Sequence, residues 1–239
     1  MNFSFRICQQ VCIFLATAAT LEAQEQSVKP GINDAFRSNL NIKEWVERFE
    51  GESREIFDKR KEILAACRLQ PGQVVADIGA GTGLYTRLFA REVTHEGKVF
   101  AVDISQKFLD HIDESCKALQ LKNVKTILGK DVSPEMPDAS VDVVFICDTY
   151  HHFEFPFKML HAIHKAMKPK GRLIVIDFKR IPGESREWTL NHVRAGQEVV
   201  EQEITSSGFR KVDEVKSLLK ENYFIIFEKV EKPLSSSKP

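Results

Sequence analysis

Val74-Val75-Ala76-Asp77-Ile78-Gly79-Ala80-Gly81-Thr82-Gly83-Leu84 decides the fold. A short run of apolar residues enters a glycine-rich turn and leaves it into an amphipathic stretch carrying Leu84, Leu88, Phe89 and Val93. The run reads as a strand buried on both faces, as a parallel sheet requires. Glycines let the chain turn sharply and let a ligand approach the main chain. The helix that follows begins with N–H groups that have no partner within it. The spacing is G-x-G-x-G, and Leu84 stands where a dinucleotide fingerprint places its third glycine. Asp77, two residues before the first glycine, would repel a pyrophosphate.

Outward from this stretch the pattern repeats. Apolar runs at Val99–Val102, Val143–Ile146 and Leu173–Ile176, with a weaker one at Val124–Leu128, alternate with amphipathic stretches of helical length. One of these carries Phe108, Leu109, Ile112, Cys116 and Leu119, and another Met159, Leu160, Ile163 and Met167. Strands alternating with helices predict an α/β sheet, doubly wound, with helices on both faces. Near the end the rhythm changes. A helix from about Trp188 to Ser206, capped by Gly208, precedes strand-like stretches at Phe209–Val215 and Tyr223–Val230. Two strands joined by a short connection pair antiparallel, so the sheet should carry an antiparallel hairpin at one edge.

The chain has 239 residues, 34 Lys+Arg and 34 Asp+Glu, and its formal net charge is zero. That balance, without a basic block, argues against nucleic acid as a partner. Five Cys without a CxxC pair fit neither a zinc module nor a disulfide scaffold, and Cys67 and Cys116 read as core residues. Residues 1–23 read as a signal peptide: Arg6, an apolar run from Val11 to Ala19, then Leu21-Glu22-Ala23 before Gln24. The run is shorter than the roughly 20 apolar residues of a membrane span, so no transmembrane span is expected in the mature chain. Cleavage would give an exported, periplasmic or secreted protein; otherwise the protein is cytoplasmic. Residues 24–69 read as a linker to residue 40, with Pro30-Gly31 inside it, and then two short helices broken at Gly51. Residues 70–230 form the main domain, and 231–239 read as a disordered tail.

Asp103 ends the second apolar run, 20 residues after Gly83. An acidic residue there can accept hydrogen bonds from both hydroxyls of a ribose. With the glycine turn it points to a ribose ligand that also has a positive or zwitterionic end.

Taken together in order, these motifs resemble the class I S-adenosylmethionine-dependent methyltransferase family, of its small-molecule type. Val74–Leu84 is similar to that family's first motif, and Asp103 to the acid closing its second strand. Gly129-Lys130-Asp131-Val132 resembles the motif after the third strand, although Lys130 separates Gly129 from Asp131. Val141–Cys147 followed by Asp148-Thr149-Tyr150-His151-His152-Phe153 resembles the fourth-strand motif, and Lys168–Leu173 the turn into the fifth strand. The resemblance covers about residues 70 to 230. It implies a Rossmann-like, mostly parallel seven-stranded sheet with an antiparallel strand at one edge, and S-adenosyl-L-methionine as cofactor. It further implies that Asp77, Gly79, Gly81 and Gly83 line the methionine part of the cofactor. By the same resemblance Asp103 holds the ribose, Ile104, Asp131 and Val132 flank the adenine, and Cys147 and Asp148 close the methionine side.

A sulfonium already carries a good leaving group, so the protein chiefly aligns nucleophile, methyl and sulfur. A base helps only where the nucleophile starts protonated. His151, His152 and Tyr150 are the candidates for base or substrate contact, since they follow a strand that ends at the cofactor. No metal ligand set is read from the sequence. Where strand order reverses, between the first and fourth strands, the substrate is left with Asp148–Phe153 and Asp177–Arg180. Trp45 and Phe49 are expected to cover that pocket. Asp103 is expected at an exposed strand end, where truncation would leave the fold intact. The activity implied is methyl transfer to a small-molecule acceptor. A dinucleotide-dependent oxidoreductase using NAD and a non-catalytic cofactor-binding protein remain as alternatives.

Overall fold

The computed structural model describes residues 24–37, 40–51 and 54–231. The segment read as a signal peptide, residues 1–23, lies outside the described residues, as does the segment read as a tail beyond Glu231. Seven strands form one sheet: β1 (Val74–Ile78), β2 (Lys98–Asp103), β3 (Val124–Leu128), β4 (Val141–Cys147), β5 (Met167–Phe178), β6 (Phe209–Glu214) and β7 (Asn222–Lys229). Their order is β3-β2-β1-β4-β5-β7-β6. The first five pair in parallel, and β7 runs antiparallel to both β5 and β6. The hairpin expected at one edge is therefore present, with β7 one place in from that edge. β1 lies between β2 and β4, so strand order reverses there as the motifs implied.

The helices cover both faces because the strand residues alternate. Val143 and Phe145 of β4 pack with Ile63 of α4 (Arg60–Ala66) and Phe89 of α5 (Leu84–Glu92). Val144 and Ile146, one residue out of phase, pack with Leu160 and Ile163 of α7 (Pro156–Ala166) and Ile204 of α9 (Gln197–Ser206). This is the period of two by which a strand serves two cores at once. Helix α6 (Gln106–Ala118) sets Leu109, Ile112 and Cys116 against Ala101. Cys67 and Cys116 are buried and free, as expected of core thiols.

Two local readings are corrected. The segment expected as one helix from Trp188 to Ser206 is two, α8 (Glu187–His192) and α9. The break has a cause. Arg180 donates from Nε to the Val193 carbonyl at 2.9 Å and from Nη2 to the Leu190 carbonyl at 2.9 Å, and Gly196 is extended as the N-cap of α9. Carbonyls taken by a guanidinium are satisfied without continuing the helix.

Residues 24–37 are not a free linker. They contain α1 (Asp34–Arg37), and Val28 N donates to the Glu154 carbonyl at 2.9 Å. Farther along, α2 (Ile42–Phe49) is followed by α3 (Glu55–Asp58) and α4. No helix among the described residues is long and apolar enough to cross a membrane.

Candidate active site

A cavity of ≈ 680 Å³ lies beyond the carboxyl ends of β1, β2, β4 and β5. Its first end is built by the glycine turn. Gly79, Gly81 and Gly83 all have positive φ, at 72°, 53° and 80°. At Gly79 a Cβ would stand 2.2 Å from the Thr149 side chain, so β1 and the loop after β4 meet there only because glycine is present. At Gly81 a Cβ would reach into the cavity to within 3.3 Å of the Phe49 ring. The turn thus leaves main chain bare where a ligand can lie against it.

Carboxylates surround this turn. Asp77 is buried, and Thr86 Oγ1 donates to its Oδ2 at 2.6 Å. Burial pushes its carboxyl up to about 7, a rise that the Thr86 bond opposes and the nearby Asp103 charge adds to. Asp103 accepts Gly81 N at 2.8 Å and Ser105 N at 2.9 Å, so it braces the glycine turn as well as ending β2. It is 7 % exposed, and burial pushes its carboxyl up to about 6. This corrects the expectation of an exposed strand end: truncation here would strand two main-chain donors. Asp148 sits with φ at +49°, paired with Arg54 and receiving Asn222 Nδ2. Its carboxyl is pushed up to about 6, chiefly by burial, with Arg54 pulling the other way.

Ile104, Asp131, Cys147 and Asp148 all line the cavity. Val132 does not. Lys130 N donates to the Ser133 carbonyl at 2.8 Å, which closes a tight turn with Asp131 and Val132 at its tip, and of these two only Asp131 reaches the cavity wall. Asp131 is ion-paired there with Arg37 of α1.

The second end of the cavity holds imidazoles. Tyr150 is not among its residues. It is fully buried, packs on Phe153 and donates its hydroxyl to Glu203 Oε2 at 2.9 Å, which corrects its place among the catalytic candidates. The turn that follows β4 sends Tyr150 into the core and His151 and His152 to the cavity. His151 Nδ1 lies 2.7 Å from Asp177 Oδ1. His152 Nδ1 lies 3.2 Å from Asn33 Oδ1, and its Nε2 lies 3.4 Å from His192 Nε2. Burial, reinforced by the neighbouring imidazoles, pushes His152 down to about 2 and His192 down to about 4. Both rings are therefore neutral at ordinary pH.

The wall between the two ends is aromatic. Phe36, Trp45 and Phe49 form a chain of ring contacts 5.0–5.2 Å apart, and Phe36 also meets the His152 ring at 5.2 Å. Opposite them, Trp188 stacks on His192 at 4.6 Å and packs against Phe178. Trp45 and Phe49 line the cavity, but Phe49 lies against Gly81 and both rings meet Phe108, so they stand at the glycine-turn end, and Phe36 is the ring of this wall that reaches His152. Asn33, Phe36, Arg54 and Trp188 are additions, and His192, in the stretch after the fifth strand, lines the cavity with them. Tyr85 lines the cavity but donates its hydroxyl to the Ile56 carbonyl at 2.7 Å, which ties α3 to α5.

These features fit S-adenosylmethionine. Bare main chain at Gly79 and Gly81, a buried carboxylate at Asp77 and an acid at the end of β2 match a zwitterionic amino acid joined to a ribose. Arg180 belongs to the α8 break, not to the cavity.

Two outcomes follow from the carboxylates. Asp103→Ala is expected to lower affinity for S-adenosylhomocysteine roughly ten- to hundredfold, the loss of charge-assisted bonds worth about 1.5–3 kcal/mol. It should also lower the melting temperature, because Gly81 N and Ser105 N lose their acceptor. Unchanged affinity by calorimetry would remove Asp103 from the site. The second outcome concerns pH. A carboxyl held at about 7 in the fold, against its ordinary value of 3.8, favours the protonated native state. Between those values the native chain binds more protons than the unfolded chain, so stability falls as pH rises. Asp77→Asn should flatten this fall between about pH 4 and about pH 7 in urea titrations. Equal slopes in both proteins would contradict the assignment.

Comparison with known proteins agrees with the geometry. Residues 69–229 match the family model described as a methyltransferase domain. The demethylmenaquinone methyltransferase of Listeria welshimeri is 32 % identical over 126 residues, which is 52 % of this chain and 53 % of that protein. A ubiquinone/menaquinone biosynthesis C-methyltransferase of Hydrogenovibrio crunogenus is 28 % identical over 162 residues, 67 % of this chain and 62 % of that one. The chain spans about half the length of the first of these curated relatives. Among solved structures, a SAM-dependent methyltransferase from Aquifex aeolicus superposes with a TM-score of 0.70 at 25 % identity, covering 80 % of this chain and 100 % of that one. Sheet order, glycine turn, strand-end acid and family match converge: the chain belongs to the class I S-adenosylmethionine-dependent methyltransferase family through residues 69–229.

Proposed function

We propose that the protein transfers a methyl group from S-adenosylmethionine to a small, largely apolar acceptor that carries a ring and a polar substituent. The observation that carries this reading is the single cavity joining the glycine turn to the imidazoles across an aromatic wall. When bound, the cofactor supplies an electrophilic methyl group whose departure leaves a neutral thioether. The chain's own residues do the rest. Gly79, Gly81, Asp77 and Asp103 hold the cofactor. Phe36, Trp45 and Phe49 cover the space beyond, exclude water and stack on a flat acceptor. His151 and His152 meet the acceptor's polar group. Quinone-type acceptors fit the aromatic wall, and the names of the menaquinone-pathway relatives support that class.

The two alternatives are less well supported. Leu84 opens α5 where a dinucleotide turn has glycine, and Asp77 opposes a pyrophosphate. A non-catalytic binder would keep the cofactor end and needs no acceptor cavity. Export, read from residues 1–23, is a separate part of the proposal, since S-adenosylmethionine is made and used mainly inside cells.

A labelled-methyl assay over pools of hydroxylated aromatic and quinol compounds tests the activity. The wild type should label a ring-bearing product. Deleting residues 24–51, or combining Trp45→Ala with Phe49→Ala, should reduce turnover more than S-adenosylhomocysteine affinity. Cofactor binding without labelling of any pool favours the non-catalytic reading, and NAD binding without S-adenosylhomocysteine binding overturns the family's activity here. For export, N-terminal sequencing of protein from fractionated cells should find a chain starting at Gln24; an intact Met1 in the cytosol rejects it.

A further inference from the structure

The imidazoles at the acceptor end carry more order than an acceptor contact needs. His151, His152 and His192 each offer a ring nitrogen, and these three atoms lie within 4.8 Å of one another. Two of the tautomers are fixed from outside the group. Asp177 accepts His151 N at 2.9 Å and Phe178 N at 2.8 Å, and its Oδ1 faces His151 Nδ1, so Nδ1 carries the proton. Asn33 donates Nδ2 to the main-chain oxygen of His152 at 3.0 Å, which turns its Oδ1 toward His152 Nδ1. That oxygen only accepts, so His152 also carries its proton on Nδ1. A ring that binds a metal ion with its one proton on Nδ1 offers the Nε2 lone pair, and both rings are oriented for that form.

His152 Nε2 and His192 Nε2 stand 3.4 Å apart. That is long for a nitrogen hydrogen bond, whose range ends at about 3.2 Å for N–H···O. It is the spacing of two ligands on one tetrahedral ion: bonds of about 2.0–2.1 Å from zinc place ligand nitrogens about 3.3 Å apart.

We propose that His151, His152 and His192 bind one divalent transition-metal ion of the zinc type through Nε2, with Asp177 and Asn33 as the outer acceptors that orient two of the ligands. Outer acceptors of this kind are the usual companions of a metal-binding histidine. Three imidazoles without a carboxylate suit Zn²⁺ and its neighbours and do not suit Mg²⁺ or Ca²⁺. All three histidines line the cavity, so a fourth position is left on its side for water or an oxygen of the acceptor. Only the identity of that fourth ligand rests on the methyl-transfer reading. The sequence gives no metal-binding spacing here, because His192 comes from α8, 40 residues after His152.

The test uses the full chain, free of any affinity tag and stripped with a chelator, titrated with Co²⁺ and then Zn²⁺. The wild type should take up one Co²⁺ per chain with the strong visible absorption of a four-coordinate ion, and Zn²⁺ should displace it. His192→Ala, on the half-exposed α8, should abolish that absorption and weaken Co²⁺ binding by more than about tenfold. Asn33→Ala, which leaves all three ligands in place, should weaken it by about 10–100-fold. Absence of stoichiometric binding by the wild type, or binding unchanged by His192→Ala, overturns the site. S-adenosylhomocysteine binding is measured on the same preparations. Co²⁺ binding without it leaves the metal site standing and removes the methyl-transfer reading; the reverse result removes only the metal site.

Discussion

Parallel pairing of β1 with β2 on one side and β4 on the other sets Ile78 beside both Val102 and Ile146. Crossovers from the middle of such a sheet leave in opposite directions, and a crevice opens where they part. The register brings three strand ends to one level, so Asp77, Asp103 and Asp148 arrive around the same space. No side-chain contact could assemble them without that backbone alignment, and the rest of the site is hung on it.

Gathering carboxyls in a crevice has an energetic cost that the surroundings only partly offset. Thr86, two main-chain N–H groups, and Arg54 with Asn222 serve Asp77, Asp103 and Asp148 respectively. Burial nevertheless outweighs these partners at each of the three, and each carboxyl holds its proton to higher pH than a free one. A ligand bringing an ammonium or hydroxyl donors would relieve that cost. Stability here is lower than the fold alone would allow, and it is spent at one place, where a cationic and hydroxylated molecule can recover it.

The sheet was legible in the sequence because each strand is a continuous apolar run, and the helices between them keep a clean period. Asp77, Asp103, Asp148 and the glycines were legible because strand ends and turns announce themselves locally. Tyr150 was misplaced because a single helical turn decides which of three consecutive residues faces the core, and sequence carries no register for such a turn. Val132 was misplaced for the same kind of reason, at the tip of a two-residue turn. Asn33 and Phe36 gave no signal. They reach His152 from a polar stretch more than 100 residues earlier, through contacts that only the folded chain creates. His192 sits beside Arg194, whose pairing with Glu203 is structural, and nothing in their spacing separates the two roles.

The aromatic wall has an optical consequence. The chain has two tryptophans, and both of them line the cavity: Trp45 beside Phe49, which meets the glycine turn at Gly81, and Trp188 stacked on His192. Indole emission dominates the near-ultraviolet fluorescence of a protein, and it shifts with the polarity and quenching of its surroundings. This protein therefore carries its own unlabelled reporter, in which no signal from a distant tryptophan dilutes the response. Replacing either indole separates the emission of one end of the cavity from that of the other, so the order in which two ligands enter can be followed in real time.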